Sequence, residues 1–544
     1  MSIVKKLIRR SLLAKSEITQ RHARKEDYKR FRDRVLQPGV IGLDLGRGMT
    51  FVRIDPALNL SEQRSSSANR ITRLIRELRI QYWQIPGPWN KPSRIGLLER
   101  DRARFISALR GAADLSHWIL EPLGPNGRKH GTDRFLPAVN RNRKYDGVRL
   151  FENVMPTTTS SFRAGPQQGV ELHFWVERPG YIESHVWNER FTKLPHPVDD
   201  GLQFLRTLED ASEKHADEVD FPIDVVYTWV DGSDVEWQTA KARAMEVSDP
   251  DSHVQDALDA ARFADHDELR FSLRSIEQYA PWVNKIWLVT NGQIPPWLVD
   301  QHPRISVVTH QDIWPDDRGL PNFNSHAIEA CLHRIEGLAE HFLYFNDDFF
   351  FGRPVRPETF FHGNGISKLF YSRALVDFLE INELDNASSV AAKNARDRLR
   401  EAKVDKSNFS RKFFHVPTPI QRSLLEDAEV EFASAFDLTR RAQFRRTTDI
   451  AVAGSFYFNL AQARGRAVPS RIRYDYIDPA APEGRRKLKA VVRHHNMDCI
   501  VINDGSTSET ERQRRTTDIV IRNALQEFLP VRSSFESDPH SRVH

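Results

Sequence analysis

Ile223-Asp-Val-Val-Tyr-Thr-Trp-Val-Asp231-Gly232 is a short apolar run that ends abruptly on acid and glycine. The device returns at Ile286-Trp-Leu-Val-Thr-Asn291-Gly292, at Phe342-Leu-Tyr-Phe-Asn346-Asp347-Asp348 and at Cys499-Ile-Val-Ile-Asn503-Asp504-Gly505. A weaker copy is Ile305-Ser-Val-Val-Thr-His310-Gln-Asp312. Continuous apolar runs of this length read as buried strands of a parallel sheet, since both faces must be covered. Helix-like stretches lie between them, at Asp267–Tyr279 and Ser325–Glu340, so strands alternate with helices and the expected class is α/β. In such sheets ligands sit beyond the carboxyl ends of the strands. Four strands ending in Asn or Asp therefore place carboxylates and amides around one crevice. Taken singly, each end is an ordinary turn; together they tilt toward a site.

Working outward, residues 36–200 read as an accessory α+β region. Helical patterns fall at Ile71–Ile80 and Arg102–Leu115, a basic loop at 122–144, and strand-like alternation at 169–192 about a Pro179-Gly180 turn. A charged helical linker at 202–220 leads to the catalytic unit, 221–537, and 538–544 is a tail. Residues 1–35 read as a basic helix, running from Lys5 and Lys6 to Arg32 and Arg34 against only Glu17, Glu26, Asp27 and Asp33. Its apolar residues are confined to the first third, which favours a solvated helix over a membrane-surface one, although peripheral contact with an anionic lipid surface through 1–34 stays open.

Composition excludes several classes. The 544 residues carry 79 Lys and Arg against 74 Asp and Glu, a net charge of +5 that does not suggest a nucleic-acid binder. Two cysteines, Cys331 and Cys499, cannot form a disulfide framework. No apolar run reaches the length of a membrane span, and Arg9, Arg10 and Lys15 spoil the N-terminus as a secretory signal, so a cytoplasmic protein is expected.

Asp347 and Asp348 are wedged between apolar runs, where two adjacent acids are costly unless a cation or a solvated hairpin tip relieves them. Mg²⁺ (or Mn²⁺) typically takes one or two carboxylates plus substrate phosphates. Neighbouring residues on an extended strand point opposite ways, so one acid can bind metal while the other acts as base. Asp231-Gly232-Ser233-Asp234 reads as a nucleotide- or metal-binding loop. Trp229, Trp237, Trp282, Trp287 and Trp297 read as core more readily than as sugar platforms.

Four blocks together resemble the Stealth family of sugar-phosphate transferases, and its actinobacterial exopolysaccharide members in particular. They are Ile223–Asp234; Asp267–Trp282 continuing through Asn291–Trp297, Phe323–Glu329 and Tyr344–Asp348; Asn394–Phe458 with His415-Val-Pro417 and Phe444-Arg-Arg-Thr-Thr-Asp449; and Ile502–Asp504 with Phe528–Glu536. The resemblance implies a GT-A-like or Rossmann-type, mostly parallel sheet flanked by helices. It implies transfer of hexose-1-phosphate from a UDP-sugar to a polysaccharide hydroxyl, releasing UMP and leaving a phosphodiester. By motif position it makes Asp348, His415 and Arg445 catalytic, and gives Asp347 and Asp504 the metal. Asp231, Gly232, Asn291, Asn346, His326 and Asn503 would bind substrate, His326 ranking after His415. Thr418 stands where many members carry a second histidine, which argues against a two-histidine mechanism, and Ala330-Cys331 departs from a Ser-His pair. The competing readings are a metal-dependent glycosyltransferase that releases UDP, and a membrane-surface binding scaffold.

Overall fold

The computed structural model describes residues 3–36, 38–45, 48–140, 143–197, 201–248, 266–299, 301–382, 385–404, 408–503 and 510–537. The chain divides into two compact units, Met1–Lys214 and His215–His544.

In the N-terminal unit an eight-stranded mixed sheet is built around the long strand Val170–Arg178. It pairs in parallel with Ser93–Leu98 and antiparallel with Gly147–Phe151 and Tyr181–Ser184, the last through the expected Pro179-Gly180 turn, where Gly180 takes φ +79°. The helix Leu60–Glu77 begins earlier than its apolar period suggests, because the Asn59 side chain caps the backbone N–H groups of Ser61 and Glu62. The basic helix, Ile3–Val35, is not solvated throughout. Val35 is buried, Tyr28 packs on Phe51, Arg24 bonds Asp133 at 2.9 Å, and Asp27 accepts from Arg134.

This unit also buries ionic clusters. Glu152 is bonded by His117 at 2.7 Å, Gln63 at 2.8 Å and Arg53 at 3.1 Å. Glu171 is held by Arg94 and Arg149. Burial alone raises both carboxyl pKa values, but these partners, with His173 beside Glu171, outweigh it and bring each down to about 2. A carboxylate whose folded pKa lies below its unfolded value adds stability above that unfolded value and loses it as pH falls through the folded one. Amides of Gly147–Phe151 and Val170–Arg178 are therefore expected to lose hydrogen-exchange protection as pH drops from about 4.5 toward 2. Glu152→Gln moves that loss to higher denaturant sensitivity at neutral pH.

The C-terminal unit carries the repeated strand device. Its five-stranded sheet runs in the order β3-β2-β1-β4-β6, with β1 Ile223–Thr228, β2 Ile286–Thr290, β3 Ile305–Thr309, β4 His341–Asn346 and β6 Thr418–Gln421. The first four strands are parallel and β6 is antiparallel to β4. Asp224, at the start of β1, is the clasp at the far end. Its carboxylate accepts from Asn284 Nδ2, Lys285 N, Trp287 Nε1 and Ala339 N, all within 3.2 Å, and so ties β1 to the entries of β2 and β4. Trp229, Trp237 and Trp287 are buried, which makes them core residues.

Two expectations need correction. Cys499–Ile502 does not join the parallel sheet. It is β8 of a second, three-stranded sheet, β5-β8-β7, with β5 Phe349–Phe351 and β7 Tyr474–Ile477. An apolar run tells a strand it will be buried but not in which sheet. With that second sheet and two short two-stranded ones, the architecture is mixed α/β, and among the larger sheets only the five-stranded one is mostly parallel. The helix expected over Ser325–Glu340 is also shorter: it ends at Glu329, and a 3-10 turn, Leu332–Arg334, replaces the rest before Gly337 (φ +79°) turns the chain into β4.

Candidate active site

In the order β3-β2-β1-β4 the direction of winding reverses between β1 and β4, the place where an α/β sheet opens a crevice. Their last residues, Thr228 and Asn346, are paired in register. Beyond β4 the chain does not fold back as a hairpin; Asp347 and Asp348 form a turn that carries it from the first sheet into β5 of the second.

Asp348 is 8% exposed. Its Oδ2 accepts from Asn503 Nδ2 at 3.0 Å and lies 3.9 Å from His415 Nε2. Its Oδ1 is buried with no protein hydrogen bond among the described residues. Burial raises the carboxyl pKa, and the nearby His415 and the Asn503 bond offset this only in part. Asn503 is brought here by β8, whose Ile502 N donates to the Asp348 carbonyl, so the second sheet delivers what the first was expected to. The His415 side chain is 46% exposed and meets the Phe349 ring edge-on at 4.6 Å.

A second cluster gathers around the helix Ser325–Glu329. Arg445 Nη2 bonds Ser325 Oγ at 2.7 Å. Asn324 caps the helix and also donates to Asp449 Oδ2 at 2.7 Å, which lies 3.8 Å from His326 Nδ1. Glu329 is buried, accepts from Ala453 N at 3.2 Å and from the Tyr344 hydroxyl at 3.5 Å, and lies in the fields of His326 and Arg445. Burial nevertheless raises its pKa. The Tyr344 hydroxyl also meets Thr228 Oγ1 at 3.1 Å, and its phenol pKa is raised by burial, by Glu329 and by Asp347. Tyr344 thus stands between the carboxylate turn and the arginine cluster.

Asp231 serves the loop around it. Its Oδ1 accepts from Ser233 N at 2.9 Å and Ser233 Oγ at 2.6 Å, while its backbone exchanges two bonds with the Gln293 amide, tying the β1 and β2 tips together. The Gly232 carbonyl accepts from Gln238. Asn291 keeps a buried Oδ1 with no protein partner among the described residues. The β2 tip is strapped by the segment after Phe528: Val299 N donates to Phe535 O, Ser537 N to Trp297 O, and Glu536 is gripped by both arms of Arg274 at 2.7 Å. Cys331 is buried in the core. Asp504 lies outside the described residues.

Sequence reasoning passed over Glu329, Tyr344 and Asp449. Glu329 sits inside a block quoted for its helical pattern, but periodicity does not reveal that a charged residue faces inward. Among the described residues no three His, Cys, Asp or Glu side chains form a ready-made metal cage. Adjacent acids with a bare, buried carboxylate oxygen still fit a hard cation that completes its shell with phosphate oxygens and water.

Carboxylates, a histidine and an arginine gathered at the opening of an α/β sheet are the groups that a phosphate-handling transferase uses. Conserved regions 1, 2 and 3 of the Stealth proteins match residues 221–249, 262–369 and 414–461. An exopolysaccharide phosphotransferase of Streptomyces coelicolor is 34% identical over 90% of this chain and 85% of its own length. The exopolysaccharide phosphotransferase CpsY of Mycobacterium tuberculosis is 36% identical over 72% of this chain and 73% of its own. One from Nocardia farcinica is 39% identical over 65% and 70%. The chain belongs to the Stealth family.

Proposed function

We propose that this enzyme is an exopolysaccharide or capsule phosphotransferase that moves hexose-1-phosphate from a UDP-sugar onto a glycan hydroxyl. The observation that carries the reading is the Asp348 carboxylate, desolvated, half-satisfied and set beside His415 at the switch point of the sheet. We read the parallel strands β1–β4 as the nucleotide-sugar half of a GT-A-like fold, with Asp231, Gly232, Asn291 and Asn346 along the donor.

In this mechanism the acceptor oxygen attacks the sugar-bearing phosphorus. The bond from that phosphorus to the bridging oxygen breaks, UMP leaves with the oxygen, and a phosphodiester remains. Asp348 takes the acceptor proton, its raised pKa bringing it nearer to the working pH of a base, and His415 at 3.9 Å steadies the pair. Arg445 grips phosphate oxygens, its charge persisting at any working pH, with His326 alongside. Asp347 and Asp504 are the residues that would hold Mg²⁺ (or Mn²⁺), and when bound the cation neutralises the two phosphates. Asn503 fixes the Asp348 carboxylate.

Purified protein supplied with UDP-sugars, Mg²⁺ and glycan acceptors is expected to release UMP. Release of UDP instead would make it a glycosyltransferase attacking the anomeric carbon. EDTA is expected to abolish turnover and excess Mg²⁺ to restore it; full activity in EDTA would remove the cation from the scheme. No helix among the described residues is long and apolar enough to cross a membrane. We place the reaction in the cytoplasm, with no role for nucleic acid, and any contact with the membrane's inner face would fall to the basic first part of residues 1–34, since Arg24, Asp27 and Tyr28 are engaged within their own unit.

A further inference from the structure

Near Asp348 the second sheet carries a set of aromatic residues that the proposed chemistry does not yet use. In register across it, Tyr476 on β7 pairs with Val501 on β8, and Val501 pairs with Phe349 on β5. Paired residues share a face, so Tyr476 and Phe349 point the same way, two strand spacings or about 10 Å apart. Tyr474, two residues before Tyr476, shares that face and packs with its ring tilted, 4.9 Å between centroids, on Phe414, the neighbour of His415. His415 itself leans on Phe349. The opposite face of β7 is accounted for: Asp475 points to Lys487 at 3.5 Å, on the helix Pro482–His494 that packs there. Val501 and Phe349 are covered, so the accessible part of this face is Tyr476, 40% exposed, with Tyr474 and Phe414 half-buried.

Neither tyrosine hydroxyl makes a hydrogen bond to another described residue, although both rings sit in the field of Asp348, which together with burial raises their phenol pKa values. Partly exposed rings with unspent hydroxyls suit a ligand that has apolar C–H faces and many hydroxyl groups, because stacking and hydrogen bonding are then satisfied by one molecule. A sugar ring is such a ligand.

Resting on the reaction proposed above, we infer that Tyr474 and Tyr476, with Phe414, form the acceptor subsite: a platform on which a pyranose ring of the acceptor glycan stacks, its hydroxyl directed at Asp348. Asp348 lies in the turn that joins the two sheets, so the proposed donor residues at the tips of the first sheet and the tyrosines of the second converge on the same carboxylate.

The test is steady-state kinetics with UDP-glucose or UDP-N-acetylglucosamine as donor and methyl hexopyranosides and their disaccharides as acceptors, at fixed Mg²⁺. Tyr476→Ala is expected to raise the acceptor KM by about tenfold or more, in line with the loss of one stacking and hydrogen-bonding residue, while the donor KM holds. Tyr476→Phe, which keeps the ring, falls between. A shift in the donor KM instead would reassign the platform to the uracil ring and overturn the inference. Saturation-transfer NMR with the same glycosides and no donor gives a readout independent of turnover. Signal in the wild type that disappears in Tyr476→Ala supports the subsite; signal that survives in the variant, or none in the wild type, overturns it. Release of UDP by the wild type would sink the phosphotransfer reading alone, since acceptor KM values remain comparable.

Discussion

Asp348→Asn lowers turnover by about 10²–10⁴-fold, the range a general base supplies, and leaves the thermal midpoint unchanged or higher. The two halves of this expectation share one cause. The carboxylate is buried, one of its oxygens has no donor among the described residues, and its pKa is raised because the site disfavours the charge. An amide of the same shape keeps an oxygen for the Asn503 bond and removes an ion that burial penalises. Active sites often hold such destabilised groups, so that losing function and gaining stability go together. Kinetics and a thermal melt on one preparation decide it. A variant that retains more than a tenth of wild-type turnover rules out the assigned role, whatever its stability.

Arg445→Ala is expected to cost about 10²–10³-fold in turnover, the usual effect of removing one preorganised charge-stabilising donor. Here stability falls too. Glu329 is buried in the field of His326 and Arg445, and withdrawing the guanidinium leaves its carboxylate with the histidine as its main counter-charge. Breaking a buried pair from one side costs about 3–5 kcal/mol when the remaining charge cannot escape. Glu329 can partly escape by taking a proton, since its pKa is already raised, so the loss lies below that range. The double variant Arg445→Ala/Glu329→Gln separates the two effects: chemical denaturation recovers toward wild type while turnover stays low. If the double variant is as unstable as the single one, Glu329 is not the group that Arg445 compensates.

Much of this site was legible in the sequence because parallel strands need continuous apolar runs and must turn at their ends. That requirement exposed β1 to β4 and placed Asn346, Asp347 and Asp348 at a tip. It could not show that the fourth run, Cys499–Ile502, crosses to a second sheet, because the pairing partner, β5, is only three residues long and carries no period of its own. Asp231 illustrates the opposite limit. Its spacing suits a ligand loop and a turn equally well, and the Ser233 bonds show that the turn occupies one of its oxygens. Glu329 and Tyr344 escaped notice because their importance lies in whom they meet across 15 positions, through a helix that stops about three turns sooner than its pattern promised. The N-terminal helix misled for a related reason: Asp27 and Tyr28 look like solvated residues until Arg134 and Phe51, far along the chain, are seen to receive them.

The bond between Asn503 and Asp348 spans 155 positions. A nascent polypeptide that holds only β1 to β4 therefore has its central carboxylate without that amide until β8 arrives. On the reaction proposed above, assembly order would act as a safeguard: activated sugars would meet a competent catalyst only once both sheets have closed around Asp348.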